Sequence, residues 1–259
     1  MSSLPTAPVF IIGSGRSGTT LLRLMIDSHP RISCGEETHF LRDLSSITGG
    51  YWHLLEGYGF SREYWIERIR DLYAGFQTDY LERRGKERWA EKDPTYTLML
   101  PFIDELFPDA QYVHLVRDAY DVVASFRDRW GYRSALRVAR GDWARYVRAG
   151  RDFGQRLPAG RYHELRYETL VEDPEPALRS LFQFLGEAWH PAVLRFQDAP
   201  HDATERYTRF TAERRREGGG DDAVYTSRVG AGRRELDPVL RAMVRKGAGP
   251  LLRELGYRP

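Results

Sequence analysis

The sequence predicts an α/β fold with a central parallel sheet flanked by helices, and three observations carry that reading. Val9-Phe10-Ile11-Ile12 is a continuous apolar run closed by Gly13, the pattern of a strand buried on both faces. Gln111-Tyr112-Val113-His114-Leu115-Val116 repeats it before Arg117-Asp118, and Tyr162-His163-Glu164-Leu165-Arg166-Tyr167 reads as a further strand. Between these runs apolar residues recur at helical spacing. Strands alternating with helices build a parallel sheet covered on both sides.

In chain order, Leu21, Leu22, Leu24, Met25 and Ile26 mark a helix that stops near His29-Pro30. That helix carries the chain roughly 15 Å from its start, and extended chain after Pro30 is long enough to bring Glu36 and Glu37 back. Adjacent residues of extended chain point to opposite sides, so one of the two glutamates faces the start of the helix. His39 shares the side of Glu37. Tyr51 to Gly59 reads as irregular, and Ser61 caps a helix that runs to about Arg84. Arg88 to Pro94 is a short strand and turn, with Pro94 opening a helix to about Phe107.

After Arg117, helical spacing puts Ala119, Val123, Phe126 and Trp130 on an apolar stripe, and Asp118, Ser125 and Arg129 on a polar one. Helices are expected from Ser134 to about Arg156 and from Pro174 to Leu185, the latter stopped by Gly186. His201 to Arg234, with Arg214-Arg215-Arg216 and Gly218-Gly219-Gly220, reads as a mobile loop whose arginines are a solvated run or, if the loop covers the site, contacts for a negatively charged acceptor. Asp237-Pro238 starts a last helix, interrupted near Gly247-Ala248-Gly249-Pro250 and ending near Gly256. With no repeat and no linker, one domain over residues 1–259 is expected.

The composition, 41% apolar and 29% charged over 259 residues, is that of a soluble globular protein large enough to bury a core without staples. A formal net charge of +2 supplies no field for nucleic acid. The single cysteine, Cys34, excludes an intrachain disulfide and a cysteine metal site, and His53, His114 and His163 lack metal-ligand spacing. No run approaches the roughly 20 apolar residues that span a bilayer. Met1 to Pro8 lacks a basic, apolar signal segment, so a cytoplasmic protein without a membrane partner is expected. Oligomeric state stays open.

The chemistry centres on Val9 to Leu22. Strand, glycine loop and helix together present backbone N–H groups and a positive helix terminus to a phosphate or sulfate, which makes the three-layer fold P-loop-like. Gly13 and Gly18 have the spacing of a nucleotide phosphate loop, but Thr19 stands where that loop keeps a lysine, and Arg16 is the loop's own cation.

Gly15-Arg16-Ser17-Gly18-Thr19-Thr20, Cys34-Gly35-Glu36-Glu37-Thr38, Lys92-Asp93-Pro94, and Arg117-Asp118 with Ser125 and Arg129 together resemble the sulfotransferase superfamily. These enzymes use 3′-phosphoadenosine-5′-phosphosulfate (PAPS). The resemblance is greatest to bacterial members that share motifs with tyrosylprotein sulfotransferases. It implies a PAPS-binding α/β domain that transfers a sulfuryl group to an acceptor hydroxyl or phenol, giving a sulfate ester and PAP, with no metal. It assigns Arg16, Ser17, Gly18, Thr19 and Thr20 to the 5′-phosphosulfate, Arg117, Ser125 and Arg129 to the 3′-phosphate, and Tyr167 to the nucleotide pocket. Arg228, in Ser227-Arg228-Val229-Gly230, resembles a segment that closes over the 3′-phosphate, although its spacing departs from the family pattern.

Glu37 matches the family's catalytic carboxylate and is the expected general base, with Glu36 and His39 as rivals. Arg16 and Lys92 are expected to stabilise charge on the sulfuryl and bridging oxygens. The acceptor stays open among a tyrosyl peptide, a secondary metabolite, a carbohydrate and a lipid hydroxyl. Two other readings compete. A P-loop nucleotide kinase is opposed by the missing loop lysine and by the lack of an Asp-ended strand of Walker B type. A non-catalytic PAP-binding protein is opposed by the joint presence of Glu37, Lys92 and Arg16.

Overall fold

The computed structural model describes residues 7–202, 212, 224 and 226–259. Its frame is one five-stranded parallel sheet in the order β2-β3-β1-β4-β5. The strands are β1 (Val9–Gly13), β2 (Ile32–Cys34), β3 (Arg88–Lys92), β4 (Gln111–Val116) and β5 (Tyr162–Arg166). β1 lies between β3 and β4, with Ile11 in register with Lys92 and Val113. The predicted strands form as expected. β2 was not predicted as a strand: three residues between Pro30 and Gly35 are too few to show a period, and only pairing with Arg88–Ala90 makes them one.

The alternation of β1 builds both cores. Val9 and Ile11 face a layer formed by α1 (Thr19–Asp27), α9 (Tyr167–Glu172) and α10 (Pro174–Leu185). Phe10 and Ile12 face α4 (Arg62–Arg83), α5 (Leu100–Leu106) and Phe153 of α8 (Trp143–Gly154). Phe10 is the hub there, with ring centroids of Trp89, Phe107 and Tyr112 at 5.6, 5.8 and 5.9 Å. α2 (Phe40–Thr48) and the short α3 (Trp52–Leu55) lead into α4, so part of the stretch read as irregular is helical. The third apolar cluster joins α6 (Ala119–Trp130), α7 (Tyr132–Arg137), α8 and α12 (Pro238–Glu254).

Several expected boundaries move. The helix expected from Pro94 is a 3₁₀ turn, Pro94–Leu98, followed by α5. The helix expected from Ser134 is split by a π turn, Val138–Asp142, between α7 and α8. Conversely, α12 runs without the predicted interruption. Gly247 sits there because a Cβ would overlap the carbonyl oxygen of Ala139, so the glycine serves a close helix contact rather than a break. Of the expected loop from His201 to Arg234, residues 203–211, 213–223 and 225 lie outside the described residues, Arg214–Arg216 among them. Its two ends are fixed: His201 is buried, and α11 (Ala231–Glu235) is anchored where the N–H groups of Gly230 and Gly232 donate to the Asp121 carboxylate at 2.8 Å.

Asp27, at the end of α1, ties three segments together. Its carboxylate accepts from the Cys34 N–H at 2.9 Å, from Arg84 at 3.1 Å and from the His201 ring at 2.7 Å, with Lys86 at 3.5 Å. Burial alone would raise its pKa, but the His201 hydrogen bond, Lys86, the Cys34 N–H and Arg84 together hold it at about 2. A carboxyl depressed in the fold stabilises it above the unfolded value near 4, and that contribution is lost as pH falls toward 2. It amounts to about 2 kcal/mol. Denaturant unfolding at pH 5 and pH 2 should show a loss of that size from this group, and Asp27→Asn should remove this part of the pH dependence while lowering stability at pH 7.

Candidate active site

The carboxyl ends of β1, β3 and β4 open onto one crevice, where the order of the sheet reverses about β1. At its centre is the loop from Gly13 to α1. Gly13 donates to the Thr97 hydroxyl at 2.8 Å, and its carbonyl accepts from the same hydroxyl at 3.1 Å. Ser17 N–H closes a turn onto the Ser14 carbonyl at 3.2 Å. Arg16 adopts φ 63°, a left-handed conformation rare outside glycine. Its side chain is held on the far side of the crevice: Nε donates to Ser125 Oγ at 2.9 Å, and the guanidinium lies 5.8 Å from the Trp130 ring. Gly18, at φ 95°, permits the last step into the helix, because a Cβ there would overlap the Tyr167 ring. The Ser17 hydroxyl is fully buried and has no hydrogen-bond partner among the described residues.

Arg117, just after β4, forms the second side. Its guanidinium stacks 4.1 Å from the Tyr167 ring, and donates to the carbonyls of Arg16 at 3.3 Å and Arg228 at 3.1 Å. Asp121 stands 3.9 Å away. Its backbone is fixed from beneath, where the indole N–H of fully buried Trp143 donates to the Arg117 carbonyl at 3.0 Å. Arg117 Nε is buried without a partner among the described residues. An unpaired donor on a buried cation and an unpaired buried hydroxyl are a costly combination unless an anion completes them.

Lys92 and Glu37 form the third side. Lys92, at the end of β3, is nearly buried, forms an ion pair with Glu37, and donates to Thr20 Oγ1 at 3.3 Å. Glu36 instead turns to Arg23 of α1, at 2.9 Å. The opposite orientation of the two glutamates is the one expected of extended chain. His39 departs from that expectation: with φ 56° it is not extended, and its Nδ1 lies 2.6 Å from Asp93 Oδ2.

Thus Arg16, Ser17, Gly18, Thr19, Thr20, Lys92, Glu37, Arg117, Ser125 and Tyr167 all border the crevice or the loop that forms it. Arg129 follows one turn after Ser125 on α6, with its guanidinium 5.8 Å from the Trp130 ring. Arg228 reaches the site through its carbonyl, while its guanidinium pairs with Asp128 at 2.9 Å and Glu235 at 3.4 Å. Asp118 leaves the stripe it was expected to share with Ser125, because it caps α6 through the Tyr120 N–H at 2.8 Å and pairs with Arg233 at 2.7 Å. The apolar stripe of α6 also divides. Ala119 and Val123 enter the core, Phe126 lies against Gly15, and Trp130 is exposed beneath Arg16. Sequence reasoning missed Trp143, Thr97 and Trp130. Helical phase carried no signal for any of them as site residues, since it set Trp130 on the apolar stripe, away from Ser125.

A parallel sheet that gathers a helix N-terminus, a buried arginine with an unpaired donor and a lysine–carboxylate pair at one crevice defines an α/β protein suited to hold and transfer an anionic group. The chain belongs to the sulfotransferase family, whose model matches residues 8–191. It is 29% identical over 203 residues to the protein-tyrosine sulfotransferase of Drosophila melanogaster, covering 73% of this chain and 40% of that protein. To protein-tyrosine sulfotransferase 1 of Danio rerio it is 30% identical over 204 residues, covering 73% and 56%. The chain therefore spans about half the length of the curated relatives it matches.

Among solved structures, the sulfotransferase domain of the Synechococcus PCC 7002 olefin synthase superposes with a TM-score of 0.72 at 24% identity, over 100% of this chain and 98% of that one. A mouse sulfotransferase complexed with PAP gives 0.53 at 13% identity, over 96% and 89%. These likenesses establish the fold.

The Gly18–Tyr167 contact yields a stability prediction. Gly18→Ala should cost at least about 1 kcal/mol from its positive φ alone, and more from the overlap with the ring. Introducing Gly18→Ala into a Tyr167→Ala background should cost less than in the native chain. Urea titration of the four proteins measures that coupling directly.

Proposed function

We propose that this protein transfers the sulfuryl group of PAPS to an acceptor hydroxyl or phenol, giving a sulfate ester and PAP. The observation that carries the reading is the pairing of Lys92 with Glu37 beside Thr20, at the N-terminus of α1. It sets a carboxylate able to take a proton next to a cation able to hold the transferring group. The crevice fits the donor's charge: Ser17 Oγ and Arg117 Nε both lack partners among the described residues, and both suit phosphate or sulfate oxygens. When bound, the donor supplies an activated sulfuryl group.

The chain's own residues do the rest. Backbone N–H groups at the start of α1, with the Ser17, Thr19 and Thr20 hydroxyls, hold the 5′ end. Arg117, Ser125 and Arg129 hold the 3′-phosphate. Glu37 accepts the acceptor's proton as the acceptor oxygen bonds to sulfur and the bond from sulfur to the PAP oxygen breaks. Lys92, drawn from Glu37 toward the arriving anion, neutralises charge on the departing oxygen, and Arg16 assists from the loop. The engagement of Glu36 by Arg23 supports Glu37 over Glu36 as the base. The names of the curated relatives support a tyrosyl side chain as one acceptor class.

Two variants separate these roles. Glu37→Gln should lower kcat by about 10²-fold or more while PAP affinity, read by calorimetry, stays within about threefold. Arg117→Ala should weaken PAP binding about tenfold or more, the worth of a charge-assisted hydrogen bond. Failure of the native protein to bind PAP, or to consume labelled PAPS across a broad panel of hydroxyl and phenol acceptors, would overturn the reading.

A further inference from the structure

Three consecutive residues of β3 and the turn after it grip three consecutive residues of the segment that carries Glu37. Lys92 pairs with Glu37. On the other face of the strand, Glu91 Oε1 accepts from the Thr38 hydroxyl at 3.3 Å, and Asp93 Oδ2 meets His39 Nδ1 at 2.6 Å. Neither acid is placed there for solubility, since both are buried. The second oxygen of Glu91 accepts from Gln77 of α4 at 3.0 Å, and Gln77 donates also to the Tyr73 hydroxyl at 3.0 Å. The second oxygen of Asp93 is taken by the Thr95 N–H at 2.8 Å and the Thr95 hydroxyl at 2.7 Å.

Burying a carboxylate among neutral hydrogen-bond partners is expensive, and an apolar residue facing the Phe10 cluster would serve the core better. What the acids add is a rigid tie from α4 and β3 to residues 37–39. We propose that Glu91 and Asp93 are positioning residues for the base: through Thr38 and His39 they fix the angle at which the Glu37 carboxylate meets Lys92 and the acceptor. The inference deepens the proposed function and rests on Glu37 being the base.

The tie at Glu91 is sensitive to protonation. Burial raises its pKa to about 7; the neighbouring Asp93 carboxylate adds to the rise, and the Tyr73, Gln77 and Thr38 hydrogen bonds oppose it. The other titratable groups around it are Tyr96 in the turn after β3 and Cys34 on β2, both with pKa values pushed up by burial. A carboxyl raised to about 7 loses its charge as pH falls through neutrality, and with it part of its hold on the Thr38 hydroxyl.

The test uses the full chain and four variants: Glu91→Leu, Glu91→Gln, Asp93→Asn and Thr38→Val. Thr38 is exposed, so Thr38→Val removes the tie, together with the contact of the same hydroxyl to the Phe40 N–H at 3.2 Å and its bond to Tyr96, without opening a cavity in the core. Glu91→Leu and Thr38→Val should lower kcat by about 10- to 100-fold, the cost of misplacing a catalytic group by about an ångström, with PAP affinity unchanged. Glu91→Gln keeps an oxygen for Thr38, so it should rescue most of the kcat lost in Glu91→Leu and remove the inflection of kcat near pH 7. Amide exchange read by mass spectrometry should rise at residues 36–40 in Glu91→Leu and Asp93→Asn, while β1 and β4 stay protected. Unchanged exchange at 36–40, or a parallel fall of kcat and PAP affinity, would overturn the tie. A native chain that consumes no PAPS would overturn the function instead, and the exchange measurement would still decide the tie.

Discussion

The Lys92–Glu37 ion pair is the constraint on which the rest of the structure depends. A nearly buried ammonium needs an anion close by, and Glu37 can supply one only if the chain returns from the end of α1 to the end of β3. That return is made by β2, whose three residues pair with β3, and by the Asp27 carboxylate that binds the Cys34 N–H. The pair also explains the placement of Thr20 at the start of α1, where its hydroxyl shares the Lys92 donors. A helix terminus, a strand end and a loop thus meet around one charge.

The three sides of the crevice differ in how they are held. The glycine loop is held by geometry, with Gly18 fitted under Tyr167 and Arg16 bent into a left-handed conformation. The Arg117 side is held by stacking and by a carbonyl fixed through Trp143. The Lys92 side is held by charge. The third is bordered by Glu91, whose pKa burial raises to about 7. A pH response that enters through Glu91 therefore reaches the side that carries the proposed base.

Much of this was legible in the sequence, because local patterns fix it. The apolar runs at Val9, Gln111 and Tyr162 become strands, and the spacing from Gly13 to Thr20 becomes a loop and helix start. The opposite orientation of Glu36 and Glu37 follows from extended chain. What was not legible depends on partners distant in sequence. Ile32–Cys34 is a strand only because β3 lies beside it. Gly247 reads as a helix breaker until Ala139 is seen against it. Asp118 and Arg228 fall near the site by position, but their side chains are claimed by Arg233 and by Asp128 and Glu235. Helical phase says which side a residue faces, not which oppositely charged neighbour will hold it.

Asp121 carries a consequence for how much of the chain the site needs. Its two oxygens receive the N–H groups of Gly230 and Gly232, and the segment they anchor delivers the Arg228 carbonyl to Arg117. α12 then packs beneath α6 and the π turn. A fragment ending soon after Arg129 would keep the short motifs from Gly15 to Arg129, yet would lack Trp143, Tyr167 and the Arg228 carbonyl, three of the supports of Arg117. Motif content and structural competence are separate properties in this fold, and the boundary between them lies near the carboxyl end of the chain.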